Sequence, residues 1–278
     1  CSVRRQRQMC IRDSKRAVIF GAGQAPTSGE IIGNGRATAL TFAREGAQVL
    51  CVDRHLTAAE ETAGLITDQG GTAQAIAADV TDEDAVKDAI SRCLRAFGGI
   101  DVLHNNVGVS VEFGDAPMDV LRQEDFARIM DINLFSCILT CRHALPAMRE
   151  QGSGSIINVS SASVYWTAHP TIAYPASKAA MITFTRQLAI QNADRGVRAN
   201  AILPGLMNTP MAVDRRMDIT GRARQEIEAE RNAKVPLNNL MGDGWDVANA
   251  ALFLASDEAR FVSGIELPVD GASLARVG

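Results

Sequence analysis

Residues 17–53, AVIFGAGQAPTSGEIIGNGRATALTFAREGAQVLCVD, contain the pattern that decides the fold. The apolar run Ala17–Phe20 has the composition of a buried strand, Arg36–Glu45 has helical spacing, and Gln48–Val52 is again strand-like. The turn between the first strand and the helix contains glycines at positions 21, 23, 29, 33 and 35. Glycines let the backbone approach a pyrophosphate closely, and the N-terminus of a helix favours its negative charge. The stretch therefore predicts a βαβ unit with a dinucleotide phosphate site.

An acidic residue follows the second strand. Asp53 lies 18 residues after Gly35, and dinucleotide-binding folds have a carboxylate about 20 residues beyond the turn, where it bonds the ribose hydroxyls. A carboxylate at this point repels a 2′-phosphate and favours NAD over NADP. The neighbouring Arg54 is the argument for NADP, because a guanidinium can pair with that phosphate. We predict NAD as the cofactor, with NADP as the less favoured choice.

The same alternation of strand and helix patterns continues along the chain. Five more strand candidates follow, at Ala73–Ala77, Val102–His104, Ser155–Val159, Arg198–Leu203 and Ile265–Val269. Helical patterns lie between them, at Ala58–Asp68, Glu83–Phe97 and Glu124–Arg149. Parallel strands need crossovers of this length, and right-handed crossovers place helices on both faces of the sheet. We expect a single α/β domain over residues 15–278: a Rossmann-type, doubly wound sheet of seven mainly parallel strands with helices on both faces.

The composition excludes several other classes of protein. The 278-residue chain is 46% hydrophobic and 22% charged, which suits a large core and excludes a disordered or disulfide-dominated chain. Its net charge of −4 predicts no nucleic-acid partner, and since no apolar run reaches about 18 residues we predict no membrane-spanning helix. Residues 1–14 differ, with four arginines, one aspartate and no apolar signal core. We interpret them as a non-native or disordered head outside the fold.

Neither the cysteines nor the histidines form a metal-binding pattern. Cys51, Cys93, Cys137 and Cys141 contain no CxxC pair, and the four histidines show no HExxH spacing. We predict buried, reduced thiols, histidines that pack or lie on the surface, and no metal site. With no export signal, the expected compartment is the cytoplasm.

One of the only two tyrosines begins the pattern Tyr174-Pro-Ala-Ser-Lys178. Positions i and i+4 share a helix face, so the phenol and the ammonium group can lie close together. A neighbouring cation lowers the pKa of a phenol from its usual value of about 10, which makes tyrosine useful as an acid–base near neutral pH. Ser161 follows the strand Ser155–Val159, at a strand end where open parallel sheets bind ligands. Its hydroxyl could hold a substrate oxygen beside Tyr174.

Over about residues 16–273, the chain resembles the short-chain dehydrogenase/reductase family. The matching motifs are the glycine-rich turn before Arg36, Asp79-Val80, Asn105-Asn106-Val107-Gly108, Asn133, Ser161, Tyr174, Lys178, Pro204-Gly205, Thr209 and Val269-Asp270-Gly271. The glycine turn departs from the family pattern, because Gly21 and Gly35 are 14 residues apart and eight residues are extra. The helix and Asp53 keep their spacing, so we interpret the insertion as a bulged loop.

The resemblance implies a role for each matched residue. Ser161 would hydrogen-bond the substrate oxygen, and Tyr174 would exchange the proton. Lys178 would lower the pKa of Tyr174 and bind the nicotinamide ribose, and Asn133 would hold a water that links Lys178 to solvent. Besides Tyr174 and Lys178, the implied cofactor contacts are Gly21, Gly33, Gly35, Asp53, Arg54, Asp79, Val80, Asn105, Asn106, Gly108, Pro204, Gly205 and Thr209.

The predicted function is hydride transfer between NAD and a small-molecule secondary alcohol or ketone. The alternative is a catalytically silent dinucleotide-binding sensor or scaffold, which would not need Asn133, Ser161, Tyr174 and Lys178 together. A lyase or epimerase on the same fold would call for another acid or base near Ser161, and no carboxylate lies between Ser161 and Tyr174. The oxidoreductase accounts for more of the residues.

The irregular segment Leu206–Met241 is longer than a simple crossover, and we interpret it as a lid or binding element. We expect the substrate pocket to be lined by three segments, Val109–Phe113, Ala162–His169 and Leu206–Met217. The resemblance further implies a homotetramer or homodimer in which the helices Glu124–Arg149 and Thr171–Asn192 pair between subunits.

Overall fold

A computed structural model describes residues 15–25, 27, 31–166 and 169–276 of the chain. Its strands are β1 (Arg16–Phe20), β2 (Gln48–Asp53), β3 (Thr72–Ala77), β4 (Val102–Asn105), β5 (Gly154–Val159), β6 (Val197–Pro204), β7 (Met207–Asn208), β8 (Gly242–Asp243) and β9 (Glu266–Val269). The main sheet has the order β3-β2-β1-β4-β5-β6-β9, and all its strand pairs are parallel. The expected seven-stranded, doubly wound sheet is confirmed, with every strand end within one residue of the prediction. The proposed head lies outside the described residues.

Helices follow the strands on both faces. They are α1 (Asn34–Arg44), α2 (Leu56–Asp68), α3 (Glu83–Phe97), α4 (Gln123–Met130), α5 (Ser136–Gln151), α6 (Ala173–Asn192), α7 (Asp214–Thr220), α8 (Arg224–Asn232) and α9 (Gly244–Ala255). Local sequence sets several of their ends. α3 begins where the Asp82 side chain accepts two backbone N–H groups, and it ends at Gly98, whose φ of +80° favours glycine.

The two faces of the sheet are covered by separate apolar layers. Ala17 and Ile19 of β1 face a core built with α1, α2 and α9. Val18 and Phe20 face the opposite core, built with α3, α5 and α6. This alternation follows from the two-residue period of a strand, and burial on both faces explains why the strands are nearly continuous apolar runs.

The strand order reverses between β1 and β4, because β2 and β3 extend the sheet to one side of β1 while β4, β5, β6 and β9 extend it to the other. At such a switch point the loops leave the carboxyl ends of the two strands in opposite directions and open a crevice. The glycine turn after β1 and the Asn105–Gly108 segment meet there.

The irregular segment after β6 forms α7 and α8, and the short β7–β8 pair ties its two ends together. Val213, Ile227 and Met241 of this segment are buried in a small core of their own. None of the helices in the described residues is long and apolar enough to cross a bilayer.

Candidate active site

A cleft of about 730 Å³ lies at the carboxyl ends of the central strands. Fifteen of the residues named from the sequence line it: Gly21, Gly33, Gly35, Asp53, Arg54, Asp79, Val80, Asn106, Gly108, Ser161, Tyr174, Lys178, Pro204, Gly205 and Thr209. Asn105 and Asn133 are not among its lining residues. Residues more than 150 positions apart in the chain thus share one cavity.

The glycine turn is shaped for a close backbone approach. Gly21 has a φ of +81°, and a Cβ added to Gly35 would lie 1.9 Å from the carbonyl oxygen of Gly21. α1 begins after Gly33 with no side-chain cap and no acidic residue in its first turn. Among the described residues, no side chain caps its first N–H groups, and the helix dipole favours an anion there.

Gln24 closes the base of the inserted loop. Its side chain accepts a hydrogen bond from the N–H of Gly33 at 2.8 Å and donates one to the carbonyl of Ile31 at 3.2 Å. Asn34 lines the cleft, while Ile32 lies against Gly244 at the start of α9. The insertion thus leaves the helix N-terminus at the cleft, although part of the loop falls outside the described residues.

The end of β2 brings a carboxylate and a guanidinium to the same end of the cleft. The Asp53 carboxylate accepts backbone hydrogen bonds from Gly23 and His55, each at 3.1 Å. The Arg54 guanidinium lies 5.8 Å from the centre of the Phe113 ring and donates to His55 at 3.0 Å. Both residues named for cofactor choice therefore line the same wall.

Asn105 lies beneath the cleft in a chain of buried polar groups. Its amide donates to Asn158 at 2.8 Å and accepts from the Thr140 hydroxyl at 2.8 Å, and Asn158 in turn donates to Thr185 at 2.9 Å. These bonds join β4, β5, α5 and α6 under the site. The structure therefore places Asn105 in a buried hydrogen-bond network beneath the cleft, and the cofactor contact implied by the resemblance stays a prediction.

Ser161, Tyr174 and Lys178 converge beside the end of β5. The buried Lys178 ammonium donates to the carbonyl of Val159 at 2.8 Å and lies 5.8 Å from the centre of the Tyr174 ring. Gly108 makes room for it, since an added Cβ there would lie 3.1 Å from the lysine nitrogen. The hydroxyl of Ser161 accepts the N–H of Ser163 at 3.1 Å. A phenol, a hydroxyl and an ammonium group thus face one cavity.

Burial shifts the proton affinities of both titratable groups at this point. It raises the pKa of Tyr174, and the negative charges of Glu112 and Asp115 raise it further, against the lowering effects of the hydrogen bond with Ser161 and of Arg216. Burial also lowers the pKa of Lys178 to about 8. The expected lowering of the Tyr174 pKa is therefore wrong for this geometry, because desolvation of the phenol outweighs the favourable groups around it.

Asn133 occupies a π-helical turn, Asp131–Phe135, between α4 and α5. Its side chain accepts the N–H of Val109 at 2.8 Å and donates to the carbonyl of Val109 at 3.0 Å and to the Ser177 hydroxyl at 2.9 Å. It therefore fixes the loop after β4 against the helix of Tyr174 and Lys178. A role in holding a water stays a prediction.

The predicted substrate walls are found in part. Glu112 and Phe113 line the cleft on one side, and Met207, Met211 and Arg215 line it on the other. The described residues of Ala162–His169 do not line it. Trp166 and His169 instead form a stack of rings that continues to Tyr174, with centroids 6.2 Å apart at each step.

Sequence reasoning missed Asp115 and Gln24. Asp115 is buried and bonds the backbone at the start of α6, and Gln24 closes the inserted loop. Neither belongs to a recognisable motif, and Asp115 stands in a glycine- and proline-containing stretch that indicates only a turn.

In the described ranges no three histidine, cysteine, aspartate or glutamate side chains come together as metal ligands, and the four cysteines there are buried with free thiols, as predicted.

Comparison with known proteins extends over nearly the whole fold. A family model described as enoyl-(acyl carrier protein) reductase matches residues 31–272, from the glycine turn to beyond β9. The 2,5-dichloro-2,5-cyclohexadiene-1,4-diol dehydrogenase LinX of Sphingobium indicum is 36% identical over 244 residues, covering 88% of this chain and 93% of that protein.

Two further matches agree with these. A cis-4-hydroxycyclohexanecarboxylate dehydrogenase of Sinomonas cyclohexanicum is 35% identical over 252 residues, covering 91% of this chain and 96% of that protein. A crystal structure assigned as a short-chain dehydrogenase/reductase from Burkholderia xenovorans superposes with a TM-score of 0.87 at 40% identity, covering 95% of this chain and 98% of that one.

Proposed function

Since the chain belongs to the short-chain dehydrogenase/reductase family, we propose that it is an NAD-linked dehydrogenase of a secondary alcohol, reversible to the ketone. Its relatives support oxidoreduction by hydride transfer. One observation carries the finer proposal: Ser161, Tyr174 and Lys178 face the same cavity as the glycine turn and Asp53. A silent binding protein would have no use for that convergence.

The residues of the cleft fit a dinucleotide. Gly35 lets the start of α1 pack directly on the backbone of Gly21, which brings the helix N-terminus to the cleft, and with no side-chain cap from the described residues that N-terminus favours the charge of a pyrophosphate. Asp53 would bond the adenosine ribose, Asp79 and Val80 would border the adenine, and Pro204, Gly205 and Thr209 would border the nicotinamide. When bound, the nicotinamide ring supplies the acceptor or donor of hydride.

The protein's own groups would handle the proton. The Ser161 hydroxyl would hold the substrate oxygen, and Tyr174 would take the proton of the alcohol as the hydride leaves carbon. Tyr174 would act in its deprotonated form, whose share grows with pH because the pKa of this phenol is raised. The Lys178 ammonium would stabilise that phenolate below about pH 8, where the lysine is charged, and its hydrogen bond to the carbonyl of Val159 keeps it at the cavity wall. In the reverse direction, the Tyr174 phenol gives the proton back to the alkoxide oxygen.

Asp53 supports NAD as the preferred cofactor. We expect NADH to bind more tightly than NADPH in separate titrations, and Asp53→Ala to weaken NADH binding by about tenfold, the effect of losing hydrogen bonds to a charged group. Asp53→Asn is the matched variant, because it keeps the shape and removes the charge that repels a 2′-phosphate. If NADPH bound more tightly to the wild type, Arg54 would be the deciding residue.

The alcohol itself belongs to a class suggested by two relatives, whose names both place a hydroxyl group on a six-membered ring. We propose cyclic secondary alcohols as the first substrates to test, with open-chain secondary alcohols beside them and NAD as the oxidant. Tyr174→Phe should bind NADH normally and lose turnover. Normal NADH binding with no turnover of any alcohol by the wild type would favour the silent sensor or scaffold.

We also propose a homotetramer or homodimer in a reducing, cytoplasmic setting. Phe135, between α4 and α5, and Ile190, in α6, are exposed on the long helices that would pair, at 42% and 71% respectively. Sedimentation at micromolar concentration tests the assembly, and a monomer would refute it. Charged substitutions of Ile190 should dissociate the oligomer, whereas the same change at the exposed Leu237, outside these helices, should not.

A further inference from the structure

Asp115 is a buried carboxylate, 4% exposed, in the loop between β4 and α4. One of its oxygens accepts the N–H of Ala173 at 2.8 Å. The other accepts the N–H of Tyr174 at 3.0 Å and the hydroxyls of Thr171 at 2.6 Å and Ser110 at 3.0 Å. Three of these four donors lie at the start of α6, so nearly all the bonding capacity of the carboxylate is directed at the helix of the catalytic candidates.

The start of α6 depends on this carboxylate. The helix begins at Ala173. Its first helical backbone hydrogen bond is donated by the N–H of Ala176 to the carbonyl of Ile172. Ile172 provides no side-chain cap. The N–H groups of Ala173 and Tyr174 are therefore left over, and Pro175 has none. Asp115, some 58 residues away in sequence, accepts both of them.

The same carboxylate connects α6 to the other wall of the cleft. Ser110 is on the segment that carries Glu112 and Phe113, both of which line the cavity. Asn133 holds the preceding residue, Val109, through its backbone. The loop is thus bonded at two points to the structure around Tyr174, and Asp115 is the point that touches the tyrosine's own backbone.

We propose that Asp115 is a positioning residue, which holds Tyr174 in place for proton transfer by capping α6 from the opposite wall of the cleft. The inference rests on the proposed dehydrogenase function for its kinetic consequences. It does not make Asp115 a catalytic group, because its oxygens bond to the backbone and to hydroxyls and not to the reacting atoms.

The charge of Asp115 provides a second way to observe this role. Burial is the main cause of the raised pKa of Tyr174, and the negative charges of Glu112 and Asp115 add to it. The other groups around the phenol are Ser161, His169, Lys178 and Arg216. Removing the charge at position 115 should therefore lower the Tyr174 pKa and shift alcohol oxidation toward lower pH.

Asp115→Asn is the decisive variant, because an amide can accept only one of the two backbone N–H groups and carries no charge. We expect kcat for oxidation of the alcohol turned over by the wild type to fall by about tenfold or more, the loss of one charge-assisted hydrogen bond expressed in the transition state. The KM values for NAD and for the alcohol, and the NADH affinity, should change little. Thr171→Val, which leaves both N–H bonds in place, should have a smaller effect.

Asp125→Asn is the matched control. Asp125 is also buried, lies against Gly114 of the same loop, and is bonded to Arg122 and Arg128 without touching α6. The Asp125→Asn variant should lower the unfolding temperature without lowering kcat. A kcat for Asp115→Asn equal to that of Asp125→Asn, or an unchanged kcat at a lowered unfolding temperature, would overturn the proposal.

A titration independent of turnover separates this proposal from the proposed function. Because the chain has two tyrosines, the tyrosinate absorbance of a Tyr165→Phe background reports Tyr174 alone, with circular dichroism as a check on folding at each pH. Adding Asp115→Asn should shift that absorbance to lower pH, and adding Asp125→Asn should not. A wild type without alcohol turnover would refute the function, whereas an unshifted titration would refute the role of Asp115.

Discussion

Lys178 is charged in a place where charge is unfavourable. The residue is 2% exposed, and its ammonium group donates a hydrogen bond to the carbonyl of Val159. Burial lowers its pKa from 10.5 to about 8. The pKa of Lys178 is lower in the folded state than in the unfolded chain, so the lysine destabilises the fold wherever the unfolded chain binds the proton more readily. This free-energy penalty grows as the pH falls from about 10.5 to about 8, and it stays at its full size below pH 8.

The variant Lys178→Met should therefore be inactive and more stable. At pH 7 the relieved penalty is about 3 kcal/mol, less about 1 kcal/mol for the lost hydrogen bond, so we expect a net gain of about 2 kcal/mol in the free energy of unfolding. Urea unfolding at several pH values would measure it, and the gain should shrink as the pH rises toward 10.5. A variant less stable than the wild type at pH 7 would contradict this reasoning.

Two glycines in helices have opposite environments. A Cβ at Gly35 would meet the backbone oxygen of Gly21 at 1.9 Å, whereas a Cβ at Gly64, inside α2, would meet nothing within 4 Å. Gly35→Ala should open the turn and abolish measurable NADH binding. Gly64→Ala should stabilise the protein by about 0.5–1 kcal/mol, because alanine loses less backbone entropy in a helix, and should leave NADH binding intact. Equal NADH affinity in the two variants would show that the turn tolerates displacement.

At the scale of elements, the long helical pattern Glu124–Arg149 shows what periodicity omits. The structure divides it into α4, a π-helical turn and α5. The extra residue in the turn directs Asn133 toward Val109 and Ser177, and π turns of this kind are frequent at functional sites. Hydrophobic spacing predicts that the segment is helical, but a local change of hydrogen-bond register leaves no mark in the pattern.

The start of α9 provides a test at this scale. Asp243 accepts the N–H groups of Trp245 and Asp246 and forms a capping box with Asp246, next to the segment that packs on the glycine loop. Asp243→Ala should lower the free energy of unfolding by about 1 kcal/mol, and Asp243→Asn, which can still cap, should lower it little. Urea midpoints of the two variants compare the effects. Equal losses would mean that the charge and not the cap is the stabilising feature.

At the scale of the whole molecule, His104 makes the core sensitive to acid. It lies in β4 at the centre of the sheet, fully buried, with its ring edge-on to Phe42 at 6.3 Å. No other described residue bonds either ring nitrogen. Burial lowers the pKa of His104 to about 4. Between about pH 6.5 and pH 4 the histidine is therefore neutral in the folded protein, whereas the same histidine in the unfolded chain binds a proton.

The stability of the wild type should therefore decline as the pH falls from about 6.5 to about 4, with a contribution from His104 of about 3 kcal/mol. His104→Leu removes the titrating group and should reduce this decline by that amount. Urea unfolding of both proteins at pH 7 and at pH 4.5 gives the difference directly. Parallel pH dependences of wild type and variant would contradict the assignment.

Much of this protein could be predicted from the order of its residues. Strand and helix periodicity predicted seven strands and the doubly wound sheet, because each strand is buried on both faces and reads as an apolar run. The spacing of the glycine turn from Asp53, and of Tyr174 from Lys178, predicted which side chains would meet at one edge of the sheet. These relations act within one βαβ unit or one helical turn, so a local pattern is enough to show them.

The three-dimensional fold alone decided what surrounds those residues. Asp115 reaches Tyr174 across some 58 positions, and Asn105 turns toward Asn158 beneath the cleft instead of into it. Burial reverses the expected direction of the Tyr174 pKa. Each of these depends on which chemical groups come within a few ångströms and how much water they lose. Distances and desolvation of that kind arise only when distant segments pack, and no local spacing in the chain encodes them.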